Sequence, residues 1–268
     1  MGILEGRVAF ITGAARGQGR SHAVRLAEEG ADIIAFDLCA AAAPVSYKPA
    51  TPEDLDKTVE LVKATGSRIL PFTGDVRDFN ALRQAVELGV EQFGGIDVVV
   101  ANAGILTWDR FWEISDDDWQ ATIDVNLTGV WRTLKAATLT MIESGRGGSM
   151  IVTSSVAGIK SLPGQAHYSA AKRGLVGLVK TAAIELGTFN IRVNSVHPWG
   201  VNTEMLLDPS ITRIIGSDQT FAPSFACILG NPVAEPSDIS DAVLWLASES
   251  SKFVTGAQIP IDMGATTV

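Results

Sequence analysis

Short apolar runs alternate along the chain with longer segments in which apolar residues recur every three or four positions. That alternation predicts βαβ units wound around a parallel sheet. Strands are expected at Val8–Ile11, Asp32–Phe36, Arg68–Thr73, Val98–Ala101, Gly148–Thr153, Arg192–Val196 and Gln258–Ile261. Most are near-continuous in Val, Ile and Phe, as expected of strands covered on both faces. Helices are expected over about 17–29, 53–65, 79–93, 116–144, 165–187 and 237–248. Several open on a usable cap, such as Ser115 before three aspartates or Pro236-Ser237-Asp238. The fold class is therefore α/β, a doubly wound parallel sheet of about seven strands with helices on both faces, in one domain spanning 1–268. Two stretches stand outside this rhythm: Leu38–Pro52, rich in Pro and Ala, and residues 204–235.

Composition narrows the function. Hydrophobic residues make up 46% and charged residues 19% of the chain, so much of it must be buried, in a core or between subunits, and disorder is excluded. A net charge of −9 argues against nucleic acid or an anionic membrane surface as partner, which leaves a small molecule. No apolar run approaches the roughly 20 residues that span a bilayer, and MGILEGRVAF lacks a signal-peptide pattern. A cytoplasmic location is expected. Cys39 and Cys227 offer neither a disulfide framework nor metal-ligand spacing, and read as small, partly buried residues.

The first chemical constellation is Thr12-Gly13-Ala14-Ala15-Arg16-Gly17-Gln18-Gly19, set between an expected strand and an expected helix. Its glycines permit a tight turn and close backbone approach, so a pyrophosphate can rest on the free N–H groups of the helix start. Asp37 closes the next strand, where a carboxylate accepts hydrogen bonds from the adenosine ribose and repels a 2′-phosphate. NAD is thereby favoured over NADP, with Arg16 pulling the other way. This is the Rossmann-type arrangement.

The second constellation is Tyr168-Ser169-Ala170-Ala171-Lys172, where a spacing of four puts phenol and amine on one helix face. A neighbouring cation stabilises phenolate and brings a tyrosine into range as a general acid/base. Ser155 lies just beyond a strand, at the carboxyl end of the sheet where α/β sites form.

These residues together resemble the short-chain dehydrogenase/reductase family, of the branch called classical, over nearly the whole chain. The series runs in order through the glycine turn, Asp75-Val76, Asn102-Ala103-Gly104, Asn126, Ser155, Tyr168 with Lys172, and Pro198 to Thr203. The resemblance implies that Tyr168 is the catalytic acid/base, Lys172 its pKa modulator and a ribose ligand, and Ser155 the hydroxyl that orients the substrate oxygen. Asn126 would anchor a proton-relay water. Asp75 and Val76 would hold the adenine, and Asn102, Ala103 and Gly104 would line the cofactor. Val201 and Thr203 would bind the nicotinamide carboxamide, with Gln18, Leu38, Val125 and Pro198 completing the cofactor set. The implied reaction is hydride transfer between an alcohol or carbonyl and NAD.

A narrower resemblance lies in ITGAARGQGRSHAVRLAEEGADIIAFDL, CAAAAPVSYKPATPEDL and HPWGVNTEM. It is similar to the mycofactocin-dependent, carveol dehydrogenase-like subgroup, from whose usual HPTGVNTPM it departs at Trp199 and Glu204. That resemblance implies tightly held NAD, reoxidised by a mycofactocin-type electron acceptor. Leu38–Pro52 is then expected to cover the adenosine end of the cofactor, with Val45 and Tyr47 against the adenine edge. Residues 204–235 are expected to form a lid whose apolar side chains suit an apolar alcohol, with Trp108, Phe111 and Trp112 as further candidates for the pocket. The helices containing TIDVNLTGVWRTLKAATLTMI and GLVGLVKTAAIEL are apolar on more than one face and so expected to bury a second face against another subunit. The family expectation is a homotetramer. Two other classes share the dinucleotide turn. A non-catalytic sensor predicts a broken catalytic set, whereas all four positions are filled, and epimerase or lyase relatives carry longer C-terminal substrate domains than this chain.

Overall fold

The computed structural model describes residues 2–42, 44–230 and 233–268. Ala43 of the first irregular stretch, Asn231 and Pro232 of the second, and Met1 lie outside the described residues. All seven expected strands form: β1 (Val8–Thr12), β2 (Asp32–Asp37), β3 (Ile69–Thr73), β4 (Val98–Ala101), β5 (Gly148–Thr153), β6 (Ile191–Pro198) and β7 (Gln258–Ile261). They build one parallel sheet in the order β3-β2-β1-β4-β5-β6-β7. The order reverses between β1 and β4, the place where doubly wound sheets open a ligand crevice.

The near-continuous apolar strands are explained by their two covers. Along β1, Ala9 and Ile11 pack into one layer, while Val8 and Phe10 pack into the other. Ile33 and Ile34 of β2 divide in the same way. One layer packs under α1 (Gly17–Glu28), α2 (Pro52–Ala64) and α8 (Pro236–Ala247); the other packs under α3 (Phe79–Phe93), α5 (Val130–Ser144) and α6 (Ala166–Leu186). Asp97 pins the amino end of this arrangement by accepting the Val8 N–H at 2.9 Å and pairing with Arg7 at 3.3 Å and Arg146 at 3.1 Å.

The helix expected over 116–144 is interrupted. It forms α4 (Asp116–Ile123), a π-helical turn at Asp124–Gly129, and α5. Ser115 caps α4 as expected, accepting the Asp118 N–H at 3.0 Å. The cap of α8 is not Ser237 but Glu235, in a reciprocal capping box with Asp238, with Pro236 in the first turn. Residues 204–235 hold more regular structure than expected: 3-10 turns at Glu204–Leu207 and Gln219–Phe225 flank a short helix, α7 (Pro209–Gly216). Main-chain hydrogen bonds close the base of this excursion, from Ala234 to Gly200 at 2.9 Å and from Asn202 to Ala234 at 2.8 Å.

His22 of α1 is fully buried, with Nδ1 2.8 Å from the Ser240 hydroxyl of α8. That hydroxyl also donates to the Pro236 carbonyl at 2.9 Å and meets the Ser21 hydroxyl at 2.7 Å, while Nε2 is buried without a hydrogen-bond partner. Burial holds the imidazole pKa down to about 3, against 6.5 for a free histidine. Between those values the unfolded chain takes up a proton that the folded chain refuses. Stability therefore falls as pH drops through that window, by up to about 1.4 kcal/mol per pH unit from this group. Urea melts across the window should show His22→Gln losing stability less steeply than wild type on acidification; identical pH profiles would contradict this account of His22.

Candidate active site

Two cavities open at the carboxyl edge of the sheet and share a wall made by Gln18, Asn102, Gly104, Thr203 and Met205. The first is a cleft of about 420 Å³. Gly13, Arg16, Gly17 and Gln18 line its floor, and α1 starts there at Gly17 with no side-chain cap over its first N–H groups. Gly13 has φ +71°, and a Cβ on it would lie 3.0 Å from the Ala103 Cα. Gly19 does not line the cleft; a Cβ there would meet the Gly13 carbonyl oxygen at 2.0 Å, so it lets the helix close against the turn. The Gln18 side-chain oxygen is buried without a partner.

Asp37 lies at the end of β2, buried, and accepts the Ala15 N–H at 2.9 Å and the Cys39 N–H at 3.0 Å. The carboxylate thus shapes the glycine turn as well as facing the cleft. Leu38, Asp75, Val76, Asn102, Ala103, Gly104 and Val125 line the same cavity. Arg77 holds the Asp75 carboxylate in an ion pair at 2.6 Å and keeps its pKa below the usual range against the opposing effect of burial. These features fit a dinucleotide: a glycine cradle that side chains would fill, an orphaned amide oxygen and an acid at the ribose end.

The segment after Asp37 forms one wall of this cleft through Ala40, Ala42, Val45, Tyr47, Lys48, Pro49 and Ala50. Tyr47 reaches beyond this cleft: its phenol comes close to the backbone of Leu106, which lines the second cavity, and burial pushes its pKa up to about 12. Tyr47 and Tyr168 are the chain's only tyrosines, and each lies within electrostatic range of the other.

The second cavity, about 320 Å³, contains Ser155, Tyr168 and Lys172. Pro198, Val201 and Thr203 line it too, with Thr203 also reaching the first cleft. Ser155 caps a 3-10 turn after β5, its hydroxyl accepting the Ala157 N–H at 3.1 Å, and stands beside the Tyr168 phenol. Lys172 Nζ sits 5.4 Å from the Tyr168 ring centre and donates to the Thr153 carbonyl at 2.8 Å. Burial pushes Tyr168 up to about 12, which the Ser155 hydrogen bond opposes, and pushes Lys172 down to about 7. Desolvation is the largest influence on Tyr168, so the phenol keeps its proton at neutral pH.

Asn126 lines neither cavity. It sits in the π-turn, fully buried, with Oδ1 accepting the Ile105 N–H at 2.8 Å and Nδ2 donating to the Ile105 carbonyl at 2.7 Å. Its side chain is therefore spent on holding the loop after β4. The remaining walls are largely apolar, with Leu106, Trp108, Leu162, Trp199, Met205, Leu206, Ile211, Ile215 and Phe225 beside the polar Thr153, Ser154 and Gln165. Trp108 is buried, but Phe111 and Trp112 are 75% and 72% exposed and do not line the pocket. Sequence reasoning missed His197, whose Nδ1 donates to the Ser155 carbonyl at 2.8 Å while Nε2 meets the Ser195 hydroxyl at 2.9 Å. Its only signal was its place one residue before Pro198. Among the described residues no helix is long and apolar enough to cross a membrane, and no cluster of His, Cys, Asp and Glu has the makings of a metal site.

The family model described as Enoyl-(Acyl carrier protein) reductase matches residues 13–266. A Mycobacterium tuberculosis protein described as an uncharacterized NAD-dependent oxidoreductase is 52% identical, over 98% of this chain and 97% of its own. The (-)-trans-carveol dehydrogenase of Rhodococcus erythropolis is 43% identical over 99% of both chains. A crystal structure of a short chain dehydrogenase from Mycobacterium paratuberculosis bound to NAD superposes with a TM-score of 0.97 at 48% identity, over 100% of both chains. With these relatives matched from end to end, and the glycine turn and the Ser155, Tyr168 and Lys172 group in place, the chain belongs to the short-chain dehydrogenase/reductase family.

Proposed function

We propose that this chain is an NAD-linked dehydrogenase that interconverts a neutral, apolar, cyclic or secondary alcohol with its carbonyl compound. The observation that carries this reading is the group of Ser155, Tyr168 and Lys172 at the floor of an apolar pocket that opens directly into the dinucleotide cleft. NAD, when bound, supplies the hydride acceptor or donor. Ser155 orients the substrate oxygen; in carbonyl reduction the Tyr168 phenol gives its proton to the forming alkoxide, and in oxidation Tyr168 takes the hydroxyl proton as the phenolate. Lys172, fixed by the Thr153 carbonyl, keeps further N–H groups for a ribose and lowers the cost of negative charge on the phenol. Asn126 serves through its backbone: a π-turn leaves a carbonyl without its regular helical donor, and such a carbonyl can hold a water at the site. Asp75 and Val76 flank the adenine, and Val201 and Thr203 the nicotinamide carboxamide.

The wall formed by Leu38–Ala50 supports a slow-release cofactor, since Tyr47 spans from the adenosine side of the cleft to Leu106 beside the substrate pocket. A cover tied at that point must break its own contacts before a dinucleotide leaves, so the retained cofactor would be reoxidised by an external, mycofactocin-type acceptor. Trp119, Trp131, Leu139 and Ile184, exposed on α4, α5 and α6, suit a subunit interface in a cytoplasmic homotetramer.

Three outcomes follow for measurement. Tyr168→Phe should keep fold and NAD binding while turnover drops by about 100-fold or more; turnover within a few-fold of wild type would remove Tyr168 from its role. NAD(H) should bind more tightly than NADP(H). Because the Asp37 carboxylate also holds two N–H groups of the turn, Asp37→Asn, which removes charge and keeps an acceptor, should narrow that preference. Tighter NADP(H) binding by the wild type would mean that Arg16 governs cofactor choice. Finally, isotopically labelled NAD should enter the purified wild type slowly and enter Tyr47→Phe faster. Complete exchange within seconds in the wild type would refute the cover and leave the dehydrogenase reading standing.

A further inference from the structure

Ser155 sits where β5 hands over to the turn Val156–Gly158, and that short stretch is tied on both sides. On the amino side, the Thr153 carbonyl receives Lys172 Nζ at 2.8 Å, and the Ser154 hydroxyl donates to the Lys172 carbonyl at 3.1 Å. On the carboxyl side, the Ser155 carbonyl accepts the Gly158 N–H at 2.9 Å, within the turn, and His197 Nδ1 at 2.8 Å, from β6. His197 is fully buried and lines neither cavity. A carbonyl only accepts, so Nδ1 carries the proton. Nε2 is then the acceptor and takes the Ser195 O–H at 2.9 Å, in preference to the Ala257 carbonyl at 3.4 Å. The ring also packs against the turn, since a Cβ on Gly158 would lie 3.2 Å from His197 Cε1 and 2.9 Å from the Lys172 carbonyl oxygen. Burial holds the imidazole pKa below its ordinary value, so the ring is neutral and keeps this pattern of one donor and one acceptor.

We infer that His197 is a positioning residue for the reaction: by holding the Ser155 carbonyl through Nδ1–H, it fixes where the Ser155 hydroxyl meets the substrate oxygen. This rests on the dehydrogenase reading above. The leverage is local. The carbonyl that His197 holds belongs to the peptide joining Ser155 to Val156, and the Ser155 hydroxyl accepts the N–H of the next residue along, Ala157, at 3.1 Å. Rotation of that peptide swings the turn, and with it the N–H on which the hydroxyl rests. Without the imidazole, the bond inside a three-residue 3-10 turn is left to resist that rotation. Because His197 is walled off from both cavities, its loss reaches the substrate through Ser155. A displaced hydroxyl weakens binding of the neutral alcohol little and costs most where negative charge develops on the substrate oxygen.

The test separates the N–H group from the volume of the ring. Asparagine places an amide N–H at the distance of Nδ1 from Cβ, leucine has the same shape with no donor, and glutamine carries its amide one atom further out, where Nε2 lies. With cyclohexanol and menthol as probes, reduction of bound NAD is followed in one turnover by nicotinamide absorbance, which gives a limiting rate and a half-saturating alcohol concentration. His197→Leu should lower the limiting rate by about tenfold or more. Half-saturation and NAD affinity should each change by less than about threefold, because the lost interaction belongs to the transition state. His197→Asn should recover most of the lost rate. Where the leucine variant fails to fold, His197→Gln takes its place and should be as slow. NMR of the imidazole nitrogens needs no turnover: with the chain's three histidines told apart by variants, His197 of the wild type should appear as the Nδ1–H tautomer. Equal rates in the asparagine variant and its leucine or glutamine counterpart, as packing alone predicts, or an Nε2–H tautomer in the wild type, overturns the positioning role while wild-type turnover upholds the dehydrogenase. No reduction by the wild type with either probe, in protein shown to hold NAD, overturns both.

Discussion

A single line of hydrogen bonds crosses the carboxyl ends of three strands and joins the two halves of the site. The Thr12 hydroxyl of β1 accepts the N–H groups of Asn102 and Ala103 at 3.1 and 3.2 Å, and the Asn102 amide donates back to the Thr12 carbonyl at 3.1 Å. The Thr153 hydroxyl of β5 meets the Asn102 side-chain oxygen at 3.3 Å, and the Thr153 carbonyl receives Lys172 Nζ at 2.8 Å. The glycine turn and the buried amine are therefore mechanically one object. This requires β1, β4 and β5 to be adjacent and to end together, which a parallel sheet with its order reversing at β1 and β4 provides.

Such a line is expensive to bury, and the rest of the fold bears the cost. Lys172 is 3% exposed, and its pKa near 7 records how strongly its charged form resists that environment. Asn126, Ser154 and His197 are buried polar groups of the same kind, each satisfied by a neighbouring backbone group: Ile105, the Lys172 carbonyl and the Ser155 carbonyl. Two dry layers on either side of the sheet offset these terms through apolar burial. The polar groups of the site thus line the carboxyl edge of the sheet, with the two apolar layers packed on its faces.

The sequence displayed the sheet well because strands covered on both faces need apolar runs, and Val8–Ile11, Ile33–Phe36 and Val98–Ala101 are such runs. The glycine turn and the Tyr168–Lys172 spacing were legible for the same reason: both are local, set by neighbours in the chain. What escaped was non-local or unperiodic. The π-turn at Asp124–Gly129 adds no residue type that a regular helix lacks, so 116–144 read as one helix. Helix α7 is a single short segment in a stretch whose apolar residues serve a pocket rather than a core. Tyr47 reads as a local wall residue, yet it comes close to Leu106, on a loop that sequence alone does not bring near.

The pocket has a fixed floor and a roof held by weaker ties. The floor groups sit on strand ends or on α6 and are tied by buried main-chain bonds. The roof, from Met205 to Phe225, is latched by Arg213 to Asp109 at 2.7 Å and by Arg110 to the Ser217 hydroxyl at 2.9 Å, with Arg110 lying over the Phe221 ring. These groups are largely exposed, and surface pairs of this kind contribute about 1 kcal/mol or less. The base of the excursion is different, because the bonds joining Gly200, Asn202 and Ala234 are backbone to backbone. Opening the roof therefore breaks the latches and leaves the base intact.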